Sequence, residues 1–257
     1  MGTSASSRFG LARARGSASL TGGPGPPPDI RKTREAWLAR IRREWYRIMR
    51  PFGSWVPWDL APELQLGEAE VEDYFRPAPR LDERHLRNCR VVPDRAELLK
   101  TCLPTRGIVA EVGTDTGDFA EAILRFSNPR ELHLIDASLA NLRRRRFAAA
   151  LERGTLHLHE ADSVQALRTF ADRYFDWIYI DANHSYEGVS RDLEEAKKKV
   201  KEDGLLVLND YIFWSHREFM TYGVVQAVHE FCLAEGWEWL YLALHPEMYG
   251  DVVLRKM

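Results

Sequence analysis

Along this chain, short apolar runs alternate with stretches of helical period. Ile108, Val109, Ala110 and Val112 form a nearly continuous apolar run, as expected of a strand buried on both faces, and Phe119, Ile123 and Leu124 follow at helical spacing. Residues 131–135 and 155–160 read as second and third strands, and residues 164–171 as a helix. Residues 175–211 read as strand, polar turn, helix over about 186–200, turn and strand. A crossover of that length makes a right-handed parallel connection, so these two strands should be neighbours roughly 5 Å apart. A helix over about 219–235 and two closing strands at 237–244 and 251–255 complete an α/β alternation.

The first part of the chain departs from this pattern. Residues 1–28 are dominated by Gly, Ser, Ala and Pro, with Arg8, Arg13 and Arg15 as the charges and no acid before Asp29, a composition that predicts disorder. Arginine and serine without acids also fit an organellar transit peptide, but the glycines and Pro-Pro-Pro interrupt its helix, so a flexible tail is the reading preferred. Residues 29–50 read as a charged helix with Trp37, Ile41, Trp45 and Ile48 or Met49 on one stripe. Glu35 and Glu44 among its basic residues favour packing on the main domain or on a second copy of the chain, as a homo-oligomer, over membrane binding. Residues 51–58 end that helix, and 59–93 read as loop and short helix, with 87–93 near enough to touch a cofactor. The organisation expected is a tail at 1–28, an appendage at 29–93 and a catalytic domain at 94–257.

Composition narrows the chemistry. With 257 residues, 45% hydrophobic and 29% charged, the chain is ordinary for a globular protein of one large core. A formal charge of −2 supplies no overall basic field, which argues against a nucleic-acid partner and for a small-molecule acceptor. Cys89, Cys102 and Cys232 are widely spaced without C-x-x-C, so neither a disulfide framework nor a structural zinc site is expected, and a reducing cytoplasmic setting fits. No apolar run approaches the roughly 20 residues that a membrane helix needs, so no membrane partner is expected.

The turn after the first strand is the most informative stretch. Gly113 and Gly117 let a ligand approach the main chain at the carboxyl end of a buried strand, where open α/β sheets bind their ligands. The turn Gly113-Thr114-Asp115-Thr116-Gly117 lacks the dinucleotide spacing, and Glu111, Asp115 and Asp118 would repel a pyrophosphate while attracting an ammonium and a sulfonium. S-adenosylmethionine carries both. Here the chain resembles the class I methyltransferases, whose first motif is an acid followed by G-x-x-x-G, as in Glu111 to Gly117. The resemblance implies a Rossmann-like three-layer α/β/α fold with a seven-stranded, mostly parallel sheet ending in an antiparallel hairpin. It also implies cofactor contacts from Glu111, Gly113, Thr114 and Gly117. Asp136 and Ala137, about 25 residues on, would meet the ribose, and Asp162 or Ser163 the adenine. In local terms, Asp162 or Ser163 also reads as the N-cap of the next helix.

The carboxyl ends of the two strands in 175–211 bring Asp181 and His184 towards Asn209 and Asp210. Two carboxylates and an amide oxygen are hard ligands suited to Mg²⁺ or Mn²⁺, and a divalent cation lowers the pKa of an acceptor hydroxyl. The stretch Asp181-Ala182-Asn183-His184-Ser185-Tyr186-Glu187-Gly188 is similar to the D-x-x-H-S-Y-E-G motif of metal-dependent small-molecule O-methyltransferases, in particular those acting on macrolide sugars. That resemblance implies that Asp181 and Asp210 bind Mg²⁺, that His184 is the base and that Asp181 also borders the cofactor; Asn209 departs from the branch's usual acid or histidine. Positioning of the reactants is worth about 7–11 kcal/mol and the base roughly 3–5. An N-methyltransferase or hydroxylase of the same fold, or a cofactor-binding protein without catalysis, are the competing readings. The aromatic loop at 211–218, with Trp214 and His216, is expected at the acceptor, and Arg143 to Arg146 are expected to form a solvated face.

Overall fold

The computed structural model describes residues 78–218 and 220–257. The tail at 1–28, the tryptophan-striped helix expected at 29–50 and the segment to 77 lie outside the described residues.

The chain begins with α1 (Glu83–Leu86), β1 (Arg90–Val92) and α2 (Arg95–Glu97), the last continuing into a wider turn over Leu98–Cys102. Next come β2 (Ile108–Val112), α3 (Asp118–Phe126), β3 (Glu131–Asp136), α4 (Ala148–Glu152), β4 (Leu156–Glu160) and α5 (Ser163–Arg168). They lead to β5 (Phe175–Ile180), α6 (Tyr186–Lys199), β6 (Val200–Tyr211) and a two-stranded excursion of β7 (Trp214–Ser215) and β8 (Met220–Thr221). The chain closes with α7 (Val224–Glu235), β9 (Trp237–Ala243) and β10 (Gly250–Lys256).

Eight strands form one sheet in the order β1-β9-β10-β6-β5-β2-β3-β4, and β10 alone runs antiparallel to its neighbours. Alternation along each strand divides the core in two. Ala110, Ile178, Leu206 and Val252 pack with α6 and α7 residues such as Leu193 and Val228. Val109, Trp177, Val207 and Val253 pack on the opposite side with Ile123 and Phe147. Strands apolar on both faces between two helical layers give the Rossmann-like α/β/α architecture.

The sheet has one strand more than the seven expected. The addition, β1, lies in the stretch read as a loop beside the cofactor, and it pairs instead with the outer edge of β9. That is five strand positions from β2, about 24 Å. Three residues, of which only Val92 is buried, are too short to show a period. Helix α7 likewise begins at Val224 rather than near 219, because Met220 and Thr221 form β8, which pairs with β7.

The turn after β2 is stitched to both neighbouring strands, since Gly113 N–H donates to Ile135 O at 2.8 Å and Asp181 N–H to Val112 O at 2.7 Å. Gly113 sits at φ +87°, where a Cβ would lie 1.9 Å from the Asp181 carbonyl oxygen. Only glycine lets β2 and the end of β5 approach so closely. Crossover helix α6 is capped by Ser185, which accepts from Gly188 N–H at 3.1 Å, leaving Asp181 free of a capping role.

Gly113→Ala combines a disfavoured backbone with a main-chain overlap, so it should lower stability by about 3 kcal/mol or more in urea unfolding. An unchanged midpoint would contradict this packing.

Candidate active site

The carboxyl ends of β2, β3, β5 and β6 open onto a cavity of about 1090 Å³. Glu111, Gly113, Thr114, Asp136, Ala137, Asp162, Ser163, Asp181, Asn209, Asp210 and His184 all line it, so the expected site residues other than Gly117 share one space. Gly117 instead starts α3 at φ +83°, where a Cβ would lie 2.7 Å from the Phe147 ring.

Glu111 is 1% exposed, and its Oε2 has no hydrogen-bond partner among the described residues. Burial, followed by the nearby Asp181 and Asp136, pushes its pKa well above the ordinary range, with Arg95 opposing. A buried carboxyl without a partner is costly, and a cationic ligand group relieves that cost. Thr114 Oγ1 is buried and unpartnered as well.

Asp136 has the opposite environment. Its Oδ2 accepts from Thr114 and Asp115 N–H at 2.8 and 3.0 Å, and Oδ1 accepts from Ser138 N–H at 2.9 Å. Burial works against the charge, but these backbone donors outweigh it and hold the pKa below the ordinary carboxylate value. Asp136 therefore pins the glycine turn from β3 while keeping lone pairs for a ligand. Asp162 caps α5 by accepting from Gln165 N–H at 3.1 Å, and Ser163 donates to Asp192 at 2.5 Å. For Asp162, capping and lining the cavity coexist.

Deeper in the cavity His184 Nε2 lies 3.3 Å from Asp181 Oδ1 and 3.8 Å from Asp210 Oδ2, without hydrogen-bond alignment to either. One donor atom from each of the three lies within 4.8 Å of the others. Burial disfavours the imidazolium, yet Asp181 and Asp210 raise the His184 pKa overall. The ring stacks on Tyr222 at 4.4 Å and 8°, and the His184 carbonyl accepts from Gly223 N–H at 2.8 Å. Asp210 adopts a left-handed φ of +51°, a conformation costing a non-glycine residue about 1–2 kcal/mol. Its pKa is raised, first by burial and then by Asp181. Strain and buried charge at one residue are common at functional sites.

Asn209 requires a correction. Its Nδ2 donates to Asp181 Oδ1 at 2.7 Å, while its Oδ1 accepts from Tyr179 Oη at 3.0 Å and from the Arg95 guanidinium. The amide oxygen expected to bind metal is thus already occupied and points away, and Asn209 steadies Asp181 instead. Arg95 in turn pairs with Asp251 through Nε–Oδ2 at 2.7 Å and Nη2–Oδ1 at 3.0 Å. Asp251 is 2% exposed, and burial pushes its pKa up to about 6 despite Arg95. Asp251, Arg95 and Asn209 make a continuous support leading to Asp181.

Sequence reading missed Arg95, Tyr179 and Asp251. Tyr179 and Asp251 carried a faint signal as polar groups within apolar strands, because such groups must find partners. Arg95 carried none. The aromatic loop also differs in detail: Arg217, Glu218 and Tyr222 line the cavity, while Trp214 and His216 do not. His216 lies by Glu247 at 3.5 Å. Arg143 and Arg146 pair with exposed Asp118, in keeping with a solvated face.

Residues 110–211 match a family model described as a methyltransferase domain. No curated protein matches the chain. Among solved structures, a putative hemolysin from Streptococcus thermophilus aligns at 16% identity and a TM-score of 0.50 over 63% of this chain and 64% of that one. At such identity the likeness is one of fold. The pyocyanin biosynthetic protein PhzM aligns at 15% identity and TM-score 0.49 over 63% of this chain, and the match spans 54%, about half, of that protein. A 1,6-didemethyltoxoflavin-N1-methyltransferase from Burkholderia thailandensis, solved with S-adenosylhomocysteine, aligns at 12% identity and TM-score 0.47 over 60% of this chain and 72% of that one. The matched segment runs from within β2 to the end of β6 and contains the glycine turn together with Asp181 and Asp210.

Arg95→Ala strands the buried Asp251 carboxylate and should cost about 3–5 kcal/mol in denaturant unfolding. The double variant Arg95→Met/Asp251→Leu should recover most of that loss. Additive losses would argue against this pairing.

Proposed function

We propose that the chain is an S-adenosylmethionine-dependent methyltransferase that methylates a hydroxyl of a small metabolite or natural product with help from a divalent cation such as Mg²⁺. The observation carrying this reading is the convergence of Asp181, His184 and Asp210, within 4.8 Å of one another, on the cavity framed by Glu111 and Asp136.

The residues present fit both groups. The unpartnered Glu111 carboxyl and Thr114 hydroxyl suit the polar, cationic methionine part of the donor, and Asp136 suits a ribose diol. Asp181 and Asp210 supply hard oxygen ligands for Mg²⁺ or Mn²⁺, with the His184 imidazole beside them. The methyl donor supplies an electrophilic methyl group on a leaving thioether. A divalent cation supplies Lewis acidity that favours an ionised acceptor hydroxyl.

The protein's own work is placement and proton handling. Asn209, itself bonded by Arg95, holds Asp181, the strained turn aims Asp210, and Tyr222 orients the His184 ring. His184 Nε2 is the atom placed to take the hydroxyl proton, a role typically worth about 10²–10⁴ in rate. Arg217, Glu218, His245 and Tyr249 give the outer cavity a polar lining suited to a hydroxylated acceptor.

In calorimetry, S-adenosylmethionine should bind the full chain, and Mg²⁺ should bind in a manner that Asp181→Ala and Asp210→Ala each abolish. Absence of donor binding would overturn the reading, and full turnover in chelator would remove the cation from it. His184→Ala should lower kcat by about 10²–10⁴ with donor binding retained. Wild-type kcat in that variant would rule out the proposed base.

A further inference from the structure

We propose that Glu131, His133 and His157 form a second metal site, for zinc or a similar divalent transition ion, on the edge pair β3–β4. His133 and His157 are direct cross-strand partners. Their rings stack at 4.7 Å and 17°. One donor atom from each, together with one Glu131 carboxylate oxygen, lies within 4.8 Å of the others. Tetrahedral zinc with bonds of 2.0–2.2 Å spaces its ligands about 3.4 Å apart, a small side-chain contraction from this arrangement. Two imidazoles and a carboxylate, with a fourth position left for water, are a zinc donor set.

A second observation points to a ligand. His133 is 5% exposed, and its Nε2 has no hydrogen-bond partner among the described residues. Its Nδ1 lies 3.1 Å from His159 Nε2, so a proton held on Nδ1 leaves the Nε2 lone pair available to a metal. His133 Nε2 lies 3.5 Å from Glu131 Oε2. Tyr174 Oη donates to the same Glu131 Oε2 at 2.7 Å and orients the carboxylate. Glu131 opens β3 and Asp136 ends it, which puts this site about 16 Å from the methyl-donor end and makes it a clamp on edge strand β4.

The test uses full-length Asp181→Ala/Asp210→Ala protein, stripped with chelator, so that the cavity cluster does not contribute. Residues 1–77 contain neither His nor Cys. Equilibrium dialysis against zinc chloride should return one bound equivalent, accompanied by a rise in Tm. Adding His157→Ala or Glu131→Gln should abolish both effects, and Tyr174→Phe should weaken zinc about 10-fold or more. His157 and Glu131 are only half-buried, and circular dichroism verifies that each variant is folded. No zinc bound by the parent, or stoichiometry and Tm rise untouched in folded His157→Ala and Glu131→Gln proteins, would overturn the proposal.

Discussion

Glu111, Asp136, Asp181 and Asp210 are among the carboxyl groups that line one cavity, and their mutual repulsion is the constraint around which the site is built. Two unit charges about 4 Å apart interact by roughly 4 kcal/mol at an effective dielectric near 20, so such a group does not persist without compensation. The protein compensates each acid differently. Asp136 is charged and satisfied by backbone N–H groups, Asp181 is held by Asn209 within reach of Arg95, and His184 lies between Asp181 and Asp210. Glu111 Oε2 has no hydrogen-bond partner among the described residues, which suits a cationic ligand group.

This concentration of acid depends on the sheet. Parallel strands bring the ends of β2, β3, β5 and β6 to one rim, and Gly113 allows β2 and β5 to close until only a hydrogen atom fits between the backbones. The buried Asp251–Arg95 pair then transmits the rigidity of the β9–β10 hairpin to Asn209 and Asp181. Stability and function meet in these contacts, since a loosened Arg95 would both strand a buried charge and release a carboxylate of the site.

Much of this is legible in the sequence. Apolar runs buried on both faces predicted the parallel strands, and the closing hairpin followed from two short runs near the end of the chain. The acids at strand ends were legible because strand ends are where chemistry collects in open sheets. What escaped depends on distant partners. The amide of Asn209 is oriented by Tyr179 and Arg95, neither of which is near it in sequence, and Arg95 finds Asp251 across 156 positions. Strand β1 escaped because one buried valine in three residues has no period. His133 and His157 read locally as strand residues, and only the register sets them opposite each other.

The central claim is that one cavity holds the methyl donor and, directly beside it, a cation between two carboxylates. Co-crystals with S-adenosylhomocysteine and Mn²⁺, measured at a wavelength where manganese scatters anomalously, test it most directly. The account predicts nucleoside density against Asp136, the amino-acid end near Glu111, and an anomalous peak within about 2–2.5 Å of oxygens from both Asp181 and Asp210. Nucleoside density outside this cavity, or a filled cavity with no manganese between the two carboxylates, would contradict it.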